Sequence, residues 1–187
     1  MRYLDKGETR TVLEVDGKPP ASSEHESLEG PYSTGEFGGV LSAVFAPSAK
    51  ADFHWKETDT LGDGTVQVFD YSVAKENSSF SVRGSYGDEP IVSFHGLVFI
   101  DSATRSVRRI SLMADDLPKD FPTHATSIAV DYDYVVINGH DYLMPVAAEV
   151  SQKKGRHEAD LNTIEFRNYR RYASSSRILN FTPVKKP

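Results

Sequence analysis

Short polar links between strand-like segments constrain the fold of this 187-residue chain more than any other feature of its sequence. Links such as Gly62-Asp63-Gly64 and Asn138-Gly139 suit a hairpin but are too short for the crossover that parallel neighbours require. The segments that they join alternate apolar and polar residues or are rich in β-branched residues. These segments span 51–58, 65–74, 79–86, 91–101, 106–113, 126–137, 140–151, 158–172 and 176–182. The sequence therefore predicts a mainly β (α+β) fold, built on a curved antiparallel sheet or an unclosed β-barrel.

One segment, residues 36–45 with the sequence EFGGVLSAVF, has the periodicity of a helix. Val40, Leu41 and Val44 recur at spacings of three and four residues, which places them on one side of a helix. Pro47 follows and stops the helix. Because this apolar stripe needs a surface to pack on, we expect the helix to lie on one face of the sheet. A single helical turn is also predicted within 115–123, between two prolines.

Length and composition favour a single domain over residues 1–187. With 39% hydrophobic and 11% aromatic residues, the chain can bury one sizeable core. Residues 19–34 are rich in Pro, Ser, Glu and Gly, so they are predicted to form a mobile surface loop. Residues 183–187 are predicted to be a tail.

The charge balance disfavours nucleic acid as a partner. The chain carries 21 Lys and Arg against 27 Asp and Glu, for a net charge of -6. That charge opposes nonspecific attraction to nucleic acid and to anionic membranes. An excess of Lys and Arg over residues 153–187 lacks a recognisable nucleic-acid motif and is interpreted as a solvated strand face and tail. The absence of cysteine excludes disulfides, thiolate metal sites and a Cys nucleophile.

Residues that could carry catalysis or bind a metal show no diagnostic spacing. The six histidines are scattered, without an HExxH motif or a close HxH pair. His140 and Asp141 could meet Asp131 and Asp133 across a hairpin, but solvated carboxylates on an antiparallel pair explain these residues better. No Ser lies in a GxSxG motif, and no Gly-rich loop has the spacing of a phosphate site. We therefore expect no cofactor, no metal site and no catalytic residue, and we favour a binding protein over an enzyme.

Apolar residues on both faces of one strand give the strongest functional signal. Over 91–101, Phe94 and Val98 share one face, whereas Leu97 and Phe99 lie on the other. This pattern predicts a central strand that is covered on both sides or lines an apolar cavity. If the helix fills only part of the concave side of a curved sheet, the other apolar residues would line a groove for an acyl chain. The residues predicted to line this groove are Phe37, Leu41, Phe45, Phe94, Val98, Tyr132, Tyr134 and Met144.

A resemblance to a known family rests on residues 94–118, FHGLVFIDSATRSVRRISLMADDLP. This segment is similar to the pattern G-x-[VI]-x-[IV]-D-x-x-[TS]-x-x-[VL]-x-[RK]-[IL] of the lipoprotein-carrier (LolA-like) superfamily of periplasmic proteins. The YLMPV segment and the closing NTIEFRNYRRY resemble uncharacterised secreted bacterial proteins of the same type, so the similarity covers roughly 65–181. The residues that carry the pattern are Gly96, Val98, Ile100, Asp101, Thr104, Val107, Arg109 and Ile110.

The resemblance implies an unclosed antiparallel barrel whose apolar concave face, under a helical lid, carries lipid or acyl groups. It implies a non-enzymatic protein of the periplasm or cell envelope, peripherally associated with the envelope. Its partner would be an apolar small molecule or a lipidated protein. Residues 1–20 lack the apolar core of a signal peptide, so export needs a targeting segment that this sequence does not include. A cytoplasmic location and the oligomeric state stay open. The alternatives are a hydrolase-like enzyme with a carboxylate and His site, and a structural protein-interaction module.

Overall fold

The computed structural model describes residues 37–83, 88–154 and 159–170, which form one helix and a seven-stranded antiparallel sheet. Each strand pairs with the next one along the chain. Because the first and last strands lie at opposite ends of this order, the described strands form an open sheet and not a closed barrel. The predicted class, a mainly β fold with one packed helix, is confirmed in these residues. The elements are α1 (Phe37–Phe45), β1 (Asp52–Leu61), β2 (Gly64–Val73), β3 (Phe94–Asp101), β4 (Val107–Ala114), β5 (Ala125–Ile137), β6 (His140–Lys153) and β7 (Ala159–Glu165).

Helix α1 packs through the apolar stripe that its sequence predicts. Val40 and Val44 are buried in the main hydrophobic core, and Leu41 packs against it. The helix has nine residues, too few to be stable alone in water, so this packing stabilises it. It ends before Pro47, and Ala46 has the extended backbone that a following proline favours. No helix in the described part of the chain is long and apolar enough to cross a membrane.

The sheet has two unlike faces. We call the face that α1 covers the helix face, and the other the opposite face. One row of paired residues on the helix face runs through Val98, Ile110, Val130, Ala148 and Ile164. The neighbouring row on the opposite face runs through Phe99, Arg109, Asp131, Ala147 and Glu165. The helix-face row belongs to the core or packs against it, so the main core lies between α1 and the sheet.

The hairpin between β5 and β6 has the geometry that Asn138-Gly139 predicts. Both residues have positive φ, 53° and 79°, as a type I′ turn requires, and Ile137 pairs with His140. Further along, Asp131 pairs with Ala147 but Tyr132 pairs with Pro145, so one extra residue interrupts the ladder. Because a proline has no N–H to donate to the ladder, a strand that contains one commonly forms a bulge beside it. The extra residue of this bulge is Val146, next to Pro145.

The predicted strand over 79–86 is wrong for the residues that the structure describes there. Ser81 and Ile91 form only an isolated bridge outside the sheet. Val82 N–H donates to the Pro90 carbonyl at 3.2 Å, and both Val82 and Val92 are buried. Val82 and Val92 are therefore apolar because their loop packs on the core, and not because they belong to a strand. Strand β3 begins at Phe94 and not at residue 91.

Two further predictions need correction, and three lie outside the described residues. Residues 115–123 contain turns and bends, with Phe121 N–H bonded to the Pro118 carbonyl at 2.9 Å, and no helical turn. Strand β7 ends at Glu165 and not at residue 172. The predicted loop 19–34, strand 176–182 and tail 183–187 lie outside the described residues.

Candidate functional site

A hollow of about 370 Å³ lies beside α1 on the helix face. We call it the helix-edge hollow. Three segments that are distant in sequence meet there: the middle of α1, the loop that precedes β3, and the first part of β5. The volume lies in the range typical of small-molecule sites, about 300 to 1,000 Å³. The lining residues are Gly39, Val40, Ser42, Ala43, Ser79, Phe80, Ser81 and Ile128.

The floor of the helix-edge hollow is apolar and its rim carries hydroxyl groups. Val40 and Ile128 are buried, whereas Ser42, Ser79 and Ser81 are exposed. A surface of this kind can bind the alkyl or aromatic part of a ligand and leave the ligand's polar group near water.

Aromatic rings connect the helix-edge hollow to the rest of the helix face. Phe80, in its wall, packs edge-on against Phe94 with ring centroids 5.8 Å apart. Phe94 contacts Tyr71 at 6.3 Å, and Tyr71 contacts Phe53 at 5.8 Å. The row ends at Phe45 of α1, which stacks on Phe53 at 5.5 Å. These contacts fix Phe80 from behind, so one wall of the hollow is rigidly supported.

A second hollow, of about 450 Å³, lies on the opposite face, where the β3–β4 ladder is interrupted between the His95–Met113 and Val98–Ile110 pairs. We call it the opposite-face hollow. The Leu97 N–H donates to the Ser111 hydroxyl at 3.1 Å, and the Ser111 carbonyl accepts from the Tyr71 hydroxyl at 2.7 Å. Burial raises the pKa of Tyr71, so this hydroxyl remains a donor at neutral pH. The lining residues are Asp70, Tyr71, Ser72, His95, Gly96, Leu97, Ser111 and Met113.

Glycine is required at position 96 by the close approach of two strands. A Cβ atom added to Gly96 would collide with the Ser111 carbonyl group, lying 2.7 Å from its carbon, and would lie 3.0 Å from the Tyr71 hydroxyl. The Gly96 of the family-like pattern therefore has a packing role here.

Polar groups around the opposite-face hollow are exposed and loosely paired. Ser72 lies directly across from His95 in the ladder, and His95 Nδ1 lies 3.9 Å from the Asp115 carboxylate. His54 lies 3.6 Å from Asp70. No hydrogen bond joins Ser72 to His95, so nothing activates the serine hydroxyl as a nucleophile in this arrangement. Within residues 37–83, 88–154 and 159–170, no three His, Asp or Glu side chains converge as metal ligands.

Asp131 and Asp133, the carboxylates that the sequence places across the hairpin from His140, are paired with arginines. Asp131 accepts two hydrogen bonds from Arg109, at 2.5 and 2.7 Å, and Asp133 lies 3.2 Å from Arg108. The hydrogen bond to Asp131 raises the pKa of Arg109. These pairs account for both carboxylates as cross-strand ion pairs of the opposite face.

The residues predicted to line a groove divide among three places. Phe94, Val98 and Tyr132 are buried in the core of the helix face. Tyr134 is 43% exposed, and its hydroxyl lies 2.6 Å from that of Ser106. Met144 is paired with Asp133 and so lies on the opposite face, away from the others.

The three predicted groove residues of α1 also differ in environment. Leu41 packs against the core, and Phe45 stacks on Phe53 while remaining 47% exposed. Phe37 begins the helix, and its side chain lies outside the described part of the structure. None of the seven predicted groove residues whose side chains are described lines the helix-edge hollow.

Most residues that do line the helix-edge hollow were missed from sequence. Ser79 and Ser81 fall in a segment that was predicted to be a strand, and nothing in their spacing marks them as neighbours of α1. Ile128 could have been recognised from the alternation of β5, in which Thr126, Ile128 and Val130 share one face. Comparison with known proteins adds nothing to this geometry: no family model, curated protein or solved structure matches the chain significantly.

Proposed function

We propose that this protein binds an apolar ligand, a lipid, an acyl chain or a lipidated protein segment, in the helix-edge hollow. The observation that carries the proposal is an apolar floor of Val40, Ala43, Phe80 and Ile128, open at a rim of hydroxyls. Binding an alkyl chain there removes apolar surface from water on both partners.

The lining also supports a binding role over a catalytic one. None of the eight lining residues that the structure describes around the helix-edge hollow has a titratable side chain. A general acid or base must lie within hydrogen-bond reach of the reacting group. A ligand in this hollow would therefore be held and released without being chemically changed.

The proposed location is the periplasm or the cell envelope. Its support is the similarity of residues 94–118 to the lipoprotein-carrier pattern. Fractionation of cells that express the whole natural coding sequence tests it. Recovery in the periplasmic or envelope fraction would support the location, and recovery in the cytoplasm would contradict it.

Filling the hollow tests the proposed function. Ala43→Phe adds a ring to a half-buried position of its wall, and Ala103→Phe makes the same change in an exposed turn far along the chain. The probe is N-phenylnaphthylamine, a neutral dye that fluoresces in apolar surroundings. We expect Ala43→Phe to weaken dye binding by about tenfold or more, equivalent to about 1.4 kcal/mol, and Ala103→Phe to leave it unchanged. Equal binding by both folded variants would contradict the proposal.

A hydrolase is the second candidate, because Ser72 lies across the ladder from His95 and His95 lies 3.9 Å from Asp115. This candidate requires Ser72 and His95 to form a hydrogen bond that the structure does not contain. Release of nitrophenol from short-chain esters would measure this activity. A rate above background that disappears in His95→Ala would support hydrolysis. A rate that is the same in both proteins would exclude His95 as a catalytic residue.

A further inference from the structure

The rim of the helix-edge hollow is polar but uncharged. Its polar side chains are Ser42 on α1 and Ser79 and Ser81 on the loop before β3. Among the described residues that line it, none is Lys, Arg, His, Asp or Glu. The opposite-face hollow, by contrast, has Asp70 and His95 in its lining. The two hollows therefore differ in the charge of the ligand that each can hold.

The three rim hydroxyls are available to a ligand. No described residue forms a hydrogen bond with any of them. The loop that carries two of them is fixed, because Phe80 N–H donates to the Ser78 hydroxyl at 3.0 Å and Val92 N–H donates to the Phe80 carbonyl at 3.1 Å. Each hydroxyl offers one donor and two acceptor positions. The rim can therefore bond a hydroxyl or an ester oxygen at the end of an alkyl chain.

A charged head group would find no counter-ion in this rim. Moving a carboxylate or phosphate out of water is costly unless an opposite charge and hydrogen bonds compensate. Arg83, which follows Ser81 on the same loop, pairs with Glu89 at 2.6 Å. Arg108 and Arg109 lie on the opposite face, where they pair with Asp133 and Asp131. Hydrogen bonds from the serine hydroxyls can replace the bonds that a neutral head group loses to water. They cannot compensate for the much larger hydration energy that an anion loses.

We propose that the helix-edge hollow selects an uncharged single-chain amphiphile, such as a long-chain alcohol or ester, over fatty acids and phospholipids. The chain lies against Val40, Ala43, Phe80 and Ile128, and the head group bonds the serine hydroxyls. This inference rests on the proposed function, because it assigns the ligand class of the same hollow.

Competition against N-phenylnaphthylamine tests the selectivity. The competitors are dodecanol, methyl dodecanoate, dodecanoate and dodecylphosphocholine, all below their micelle concentrations. We expect dodecanol and the ester to displace the dye at concentrations about tenfold lower than the two charged amphiphiles. Since dodecanol is also the more apolar molecule, the variants described next separate recognition from simple partitioning.

Two variants change the rim without touching the floor. Ser42→Ala, Ser79→Ala and Ser81→Ala combined should weaken dodecanol about tenfold and leave the dye unaffected, whereas Ser48→Ala, outside the hollow, should change neither. Ser79→Lys should shift the preference toward dodecanoate.

The outcomes distinguish this inference from the proposed function. If the charged amphiphiles compete as well as dodecanol, or the triple serine variant retains its affinity for dodecanol, neutral selectivity is wrong. The proposed function still stands in that case, provided that Ala43→Phe weakens dye binding. If Ala43→Phe has no effect on dye binding, both are overturned.

Discussion

Two neighbouring rows of residues, one on each face of the same sheet, have opposite chemistry. The row from Val98 through Ile110 to Ile164 lies on the helix face, and Val98 and Ile110 are completely buried. The row one residue away, from Phe99 through Arg109 and Asp131 to Glu165, lies on the opposite face and contains the Arg109–Asp131 ion pair. The free energy of folding therefore comes mainly from the helix face, because apolar burial contributes more than half-exposed ion pairs.

The largest expected difference is between two adjacent residues of β4. Leu112 is buried on the helix face, and Met113 is 42% exposed on the opposite face. Leu112→Ala should lower the free energy of unfolding by about 2 to 5 kcal/mol through lost contacts and a cavity. Met113→Ala should lower it by about 0.5 kcal/mol or less. Urea unfolding measures both, and similar losses would contradict the assignment of the core to the helix face.

The close approach at Gly96 should give the next largest effect. Gly96→Ala forces its Cβ against the Ser111 carbonyl, and we expect a loss of about 1 to 3 kcal/mol as the backbone shifts. Gly64→Ala is the matched control, because its Cβ would meet Asp101 at an ordinary 3.5 Å. If both variants unfold at the wild-type urea concentration, β3 and β4 do not approach as described.

Elements with a local signal could be predicted from the sequence. Helix α1, predicted over 36–45, spans Phe37–Phe45 in the described residues, and the Asn138-Gly139 turn forms the expected hairpin. Both depend on spacings of a few residues. Residues 79–83 show the limit, since Val82 alternates as in a strand but is apolar because its loop packs on the core.

The candidate site was harder to predict than the fold. Its lining combines α1, a loop and β5, and the pairing of strands that brings Ile128 under the helix is not encoded in any short segment. The same holds for the opposite-face hollow, where Tyr71 reaches Ser111 forty residues away in sequence. The periodicity of apolar residues indicates which face of the sheet is buried. It does not indicate where the side chains packed on that face leave a hollow.

The ion pairs of the opposite face should contribute less than either packing feature. Arg109 and Asp131 have side chains that are 40% and 32% exposed, so solvent screens their attraction. A double-mutant cycle with Arg109→Ala and Asp131→Ala should give a coupling energy of about 0.5 to 1 kcal/mol. It should fall further in high salt. A coupling as large as the loss in Leu112→Ala would contradict the comparison of the two faces.

The smallest effect should come from Asp101 at the turn between β3 and β4. The backbone N–H and then the hydroxyl of Thr104 hold the pKa of Asp101 below its ordinary value of 3.8. The stability that this contributes is therefore present above pH 3.8 and is lost as the pH falls through the folded-state pKa.

Carboxyl NMR titration of Asp101 measures this shift. Thr104→Ala should raise the pKa of Asp101 part of the way back, because it removes the hydroxyl and keeps the backbone N–H. Thr104→Ser keeps both groups and should leave the pKa low. A wild-type Asp101 that titrates at or above 3.8 would show that the turn does not form these bonds.

The most direct test of the account is to locate a bound neutral amphiphile by amide NMR. Dodecanol is titrated into the isotope-labelled protein, and the shifting backbone amides are mapped onto the sheet. We predict shifts at residues 39–43, 79–81 and 128, around the helix-edge hollow. Shifts confined to residues 70–72, 95–97 and 111–113, around the opposite-face hollow, would contradict the account.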